Sequence, residues 1–142
     1  MGIAEFVENM TQSLNEANRP RACTEDEITT ADQRFAREFG LALPSAYKEV
    51  LRHANGVIFN GLTIWPLEKH ALFRETIFEA NSDLRDLFDD HFVYFGQRDE
   101  ELYVFELARQ RYCAIEFVGK PVWEEFQSDT EMFEFMLERA WE

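Results

Sequence analysis

Cysteine, proline and glycine are scarce in this chain, at two, four and six among 142 residues. Cys23 and Cys113 stand far apart with no CxxC or Cys–His spacing. That excludes a disulfide framework and the usual zinc arrangements, and it fits a reducing cytoplasm. Basic residues are also short. Fourteen Lys and Arg face 28 Asp and Glu, a formal net charge of −14, and such a field repels nucleic acid and anionic lipid while hastening encounter with a basic protein. From charge alone, a role in solubility explains the acidity equally well. No uninterrupted apolar run reaches the ~20 residues that a membrane helix needs. The opening Met-Gly-Ile-Ala-Glu-Phe-Val-Glu carries acids where a signal peptide has bases. The sequence therefore predicts a cytoplasmic protein with neither signal peptide nor transmembrane helix. Repeats, low-complexity tracts and linkers are missing too, so residues 1–142 predict one domain around one core.

Apolar material is plentiful: 46% of residues are hydrophobic and 15% aromatic, with 14 Phe. Ile3, Phe6, Val7, Met10, Leu14 and Ala17 recur at helical spacing and predict a first helix over 3–17. Thr24-Glu25-Asp26-Glu27 reads as a capping box opening a second helix, whose stripe is Ile28, Ala31, Phe35 and Phe39 and whose end is Gly40. Pro44 suits the first turn of a third helix, with Tyr47, Val50, Leu51 and Ala54 inward and a stop at Asn55-Gly56. Strands at 57–59 and 62–67 flank Asn60-Gly61, a hairpin signal, and Pro66 puts the second at an edge or ends it. From Ala71 to Phe88, Phe73, Ile77, Ala80, Leu84, Leu87 and Phe88 predict a helix or helix pair, Asn81-Ser82 being the candidate break. Residues 92–95, 102–107 and 112–118 predict an antiparallel meander, and Val122–Phe126 a further strand. Ser128-Asp129-Thr130-Glu131 is a second capping box, before a terminal helix carrying Met132, Phe133, Met136, Leu137 and Ala140. The fold class is α+β: N-terminal helices packed on an antiparallel sheet and closed by a C-terminal helix.

Three of these patterns coincide in order. The Thr24–Ile28 box leads through a helix to Leu41-Ala42-Leu43-Pro44-Ser45-Ala46-Tyr47-Lys48-Glu49-Val50-Leu51 and then Asn55-Gly56, which resembles the opening of the SUKH superfamily of bacterial immunity proteins and fungal cell-wall synthesis regulators. The later run from Phe95-Gly96-Gln97-Arg98-Asp99 through Phe105, with Val122-Trp123-Glu124-Glu125-Phe126 before a Ser-capped helix, is similar to the YrhA-type branch. The turn after Gly96 is charged here, where the wider superfamily has extra glycines. The resemblance runs from about Thr24 to the C-terminus and implies the same α+β fold and a protein-binding role.

Catalytic signatures are absent: there is no Gly-x-Ser-x-Gly, Walker loop, Gly-x-Gly-x-x-Gly or His-Glu-x-x-His. His53, His70 and His91 are dispersed, so the sequence predicts no metal site, no cofactor and no enzyme. The acid pairs Asp89-Asp90 and Glu124-Glu125 read as solvated faces. Trp65 beside Pro66 fits an interface anchor or a cover for the core's edge equally well, whereas Trp123 favours burial at a sheet edge. Glu106 and Glu116 each interrupt an apolar strand, and two carboxylates on facing strands repel by ~0.5 kcal/mol, a cost that a partner-binding face would explain. The simpler reading sends both to water. Acid accumulates along the chain: residues 1–56 hold 9 acids and 6 bases, 57–90 hold 7 and 3, and 91–142 hold 12 and 5. The expected partner surface is therefore Trp65, Asp99, Glu100, Glu101, Glu106, Tyr112, Glu116 and Glu124. Together with the charge, the resemblance implies an immunity protein whose expected partner is a basic cognate toxin, with neither nucleic acid nor membrane involved. The alternative is a regulatory scaffold linked to cell-wall synthesis control, and oligomeric state is not indicated.

Overall fold

Six strands follow one another across a single antiparallel sheet in chain order. They are β1 (Val57–Phe59), β2 (Leu62–Ile64), β3 (Phe92–Arg98), β4 (Glu101–Glu106), β5 (Arg111–Glu116) and β6 (Val122–Phe126). The computed structural model describes residues 1–70, 72–88 and 91–142, without the side chains of 86–88. The sequence expectations at Ala71 and Asp89-Asp90 lie outside the described residues, and those for the inward faces of Leu87 and Phe88 concern side chains that are not described. Among the described residues five α-helices complete the fold: α1 (Ile3–Gln12), α2 (Glu25–Phe39), α3 (Ser45–His53), α4 (Ile77–Phe88) and α5 (Asp129–Trp141). No helix among the described residues is long and apolar enough to cross a membrane.

One face of the sheet is the floor for α5, which crosses β2, β5 and β6 and meets α1 and α3. The centre of this layer is aromatic. Phe95 lies 6.0 Å from the rings of Phe35, Tyr47 and Phe133, and each fully buried ring of this size contributes about 1.5–3 kcal/mol. The Tyr47 hydroxyl, buried in this core, donates to the Trp65 carbonyl at 2.6 Å. A bulge admits Phe95: the β3–β4 register shifts between Tyr94 and Gly96. Gly96 then passes directly beneath α5, where a Cβ would stand 3.0 Å from Met136 Sδ and 3.2 Å from the Thr63 carbonyl oxygen. Asp129 at the start of α5 accepts from the Ala46 amide at 2.8 Å and the Ser45 hydroxyl at 3.0 Å, fastening it to the first turn of α3.

α4 lies along β3 and solves a different problem. β2 ends opposite Gly96, so Tyr94 of β3 extends past its neighbour's end. The buried Asn81 amide takes over there, donating to the Tyr94 carbonyl at 2.9 Å and accepting from the Tyr94 N–H at 2.7 Å. A side chain thus does what the next strand would have done.

Several boundaries differ from the sequence reading. α1 stops at Gln12, because Arg19 folds back to donate to the carbonyls of Leu14 (3.0 Å) and Gln12 (3.1 Å), and Glu16–Asn18 form a separate 3-10 turn. α4 begins only at Ile77, behind a reciprocal Thr76–Glu79 box, and runs through Asn81-Ser82 unbroken. β2 ends before Trp65-Pro66, and β5 ends at Glu116. The Thr24–Glu27 box and the left-handed Gly40 at φ 72° appear as expected. Arg21 grips Glu27 with two bonds of 2.9 and 2.5 Å; these and the Thr24 amide hold its carboxyl down at about 2.

Candidate partner-binding surface

In a meander alternate turns fall at the same end, so three hairpin turns meet here: Asn60-Gly61, Asp99-Glu100 and the segment 117–121. They are tied to one another. Phe117 N–H donates to the Glu100 carbonyl at 2.7 Å, and Arg98 Nε donates to the Asn60 carbonyl at 3.3 Å. Asn60 in turn donates through its side chain to the Ala140 carbonyl at 3.0 Å, which draws the C-terminus of α5 to the same end. Asp99 adopts φ 55°, a left-handed conformation that Asp tolerates better than bulkier residues.

Asp99 and Glu100 are exposed on this turn. Glu101 begins β4 and directly faces Glu116 across the β4–β5 ladder. The Glu101 carboxylate accepts from Tyr103 Oη at 2.8 Å and from Arg139 Nη2 at 2.7 Å, which offsets one of the two facing charges. Burial, and then the bond to Glu101, push the Tyr103 hydroxyl well above the usual tyrosine range.

Apolar side chains stand among these acids. Val118 is 74% exposed, Trp141 41% and Val122 37%, although folding ordinarily removes such groups from water. Trp141 is held rigidly, stacked on Phe59 at 5.4 Å and edge-on to Phe6 at 6.3 Å. A pre-ordered aromatic ring in a charged rim has the make-up of an interface anchor.

The structure divides the eight residues singled out from sequence. Asp99, Glu100, Glu101 and Glu116 share the turn end. Glu106 sits at the opposite end, facing Arg111 in register and bonded to its Nε at 2.6 Å, while Arg111 also holds Glu125 at 3.0 Å. Glu106 is five positions after Glu101 on β4, an odd offset, so Glu106 and Glu116 project from opposite faces of the sheet. The expected repulsion between them is replaced by an ion pair. Tyr112 is at that far end too, half-buried against Phe105 at 4.8 Å, and burial raises its hydroxyl pKa. Glu124 is exposed on β6 opposite Ala114. Trp65 leaves the surface altogether: it is only 6% exposed, carried inward where the chain turns at Pro66. The histidines are apart, with His53 3.0 Å from Glu8, His70 against Phe73 at 4.5 Å and His91 beside Phe92. Trp141 and Val118 are the residues sequence reasoning missed. Trp141 falls four after Leu137 and reads as more core stripe, while a β-branched residue beside the Gly119 turn was the available signal.

Residues 22–137 match the pattern of the SMI1 / KNR4 family (SUKH-1). The chain belongs to this family. SUKH-1 membership accounts for the order of helices and meander, and the family includes immunity proteins and cell-wall regulators. A crystal structure of a protein from Pseudomonas syringae pv. tomato is similar in fold, with a TM-score of 0.63 at 15% identity over 94% of this chain and 98% of that one. Among proteins of curated function, none matches the chain. In this SUKH-1 protein the turn end therefore combines a protein-binding family background with exposed anchors and acids.

Proposed function

We propose that this protein is a cytoplasmic immunity protein that works by binding, not by catalysis, and neutralises a basic toxin through the turn end of its sheet. The observation that carries this reading is the exposure of Val118, Trp141 and Val122 beside Asp99, Glu100 and the Glu101–Glu116 pair. Apolar anchors exclude water from the contact, and the acidic rim steers a cationic partner and disfavours wrong ones. A toxin that acts on nucleic acid must carry the cationic surface this rim would complement.

The reading is tested by co-expression with the toxin-like product of the adjacent gene. A stable complex and survival of toxin-producing cells are expected. In the purified complex, Trp141→Ala should weaken affinity by about tenfold or more, within the range of interface tryptophans. Asp99→Asn with Glu100→Gln should slow association by about 3–10-fold at low salt and little at high salt. Absence of a complex together with absence of protection refutes the reading, and recovery of envelope or signalling proteins instead points to the scaffold role.

A further inference from the structure

β6 closes the sheet on one side, and among the described residues no strand lies beyond it. Its outer edge offers backbone donors and acceptors to any extended chain that approaches. Another copy of β6 fits poorly, because Glu124 and Glu125 would meet acids across the new ladder. Those same acids suit a basic strand. Beside the edge, α5 presents Glu131, Glu134 and Glu138 around the half-buried ring of Phe135, lining an open groove of about 350 Å³. Phe135 rests on Phe126 at 5.0 Å and Trp123 at 5.8 Å, so groove and edge form one continuous surface. Glu131 is occupied in the helix cap, accepting from the Gln127 amide at 3.0 Å. Among the described residues neither Glu134 nor Glu138 pairs with a cation.

We propose that β6 receives an extended basic segment of the partner protein as a seventh strand, with its cationic side chains over Glu124, Glu134 and Glu138 and its aliphatic stems on Phe135. The backbone edge supplies the pairing, and the charges select the occupant. This rests on the partner-binding reading above and extends it from the turn end, where β6 begins at Val122, along the strand.

The test uses a short synthetic peptide of alternating Lys and Thr, with alternating Glu and Thr as control, added to the isotope-labelled full chain at low salt. Slowed amide exchange in Val122–Phe126 and shift changes along residues 131–138 are expected with the Lys peptide alone. Glu134→Gln with Glu138→Gln should weaken that binding about fivefold while leaving the unfolding midpoint in place. Binding elsewhere, equal binding of the Glu peptide, no binding, or indifference to the double substitution each overturns the assignment. Amide exchange in the toxin complex separates the two claims. A complex whose β6 amides exchange as freely as before sinks the strand addition and leaves the immunity reading standing, whereas peptide binding without any toxin complex does the reverse.

Discussion

Asn81 shows how much one side chain holds. Its amide bonds both backbone groups of Tyr94 and also donates to the Ile77 carbonyl at 2.8 Å, so Asn81→Ala strands two buried polar groups at ~1–3 kcal/mol each. A loss of about 2–4 kcal/mol in urea unfolding is expected, and a loss below ~1 kcal/mol would mean the edge repairs itself. Glu75 is the second case. Burial, followed by the hydrogen bond that its protonated carboxyl donates to Asp83, raises its carboxyl from 4.5 to about 7. The folded state thus holds this proton more tightly than the unfolded chain. The stability it contributes is complete below about pH 4.5 and is lost as pH rises through about 7. Glu75→Gln should remove that slope and stabilise the protein by about 1 kcal/mol at pH 8, measurable as a higher melting midpoint at pH 8 and little change at pH 5. Neither role is legible in sequence. Asn81-Ser82 reads as a helix break, because the bond that makes Asn81 tolerable comes from a strand thirteen residues on.

Elements were far more legible than their ends. Periodicity found the helical stripes and the meander, since burial on one face imposes it directly. The ends that moved were those fixed by distant groups: Arg19 reaching back to Gln12, or the turn at Trp65-Pro66 that ends β2. The surface was legible to the same degree. The acidic turn at Asp99-Glu100 is a local feature and was found, whereas learning that Glu106 and Glu116 lie on opposite faces required knowing the register. Gly96 connects sequence and docking most tightly. Gly96→Ala pushes a methyl against Met136 and the Thr63 carbonyl, so α5 must lift or shift at a cost of about 1–3 kcal/mol. Gly2→Ala, with nothing within 4 Å of its Cβ, is the matched control, expected to leave denaturation unchanged.

Across the whole molecule a net charge of −14 opposes compaction, and moderate salt should raise the melting midpoint by a few degrees through screening. A falling midpoint in salt would show that the internal ion pairs outweigh the repulsion. The chain-order sheet has a further consequence, in kinetics. Each hairpin from β3 to β6 closes a short loop and can form from its own residues. The docking floor of α5 is not local, because β2, β5, β6, α1 and α3 must all be in place first. The helix that follows the sheet along the chain is therefore also the last of these elements to find its seat. Phe133→Leu on α5 should mainly speed unfolding, whereas Val104→Ala in the β4 hairpin should mainly slow folding. Until α5 lands, the aromatic floor beneath it faces water, and a chain whose proposed partner surface spans that helix can engage nothing there before its own assembly is finished.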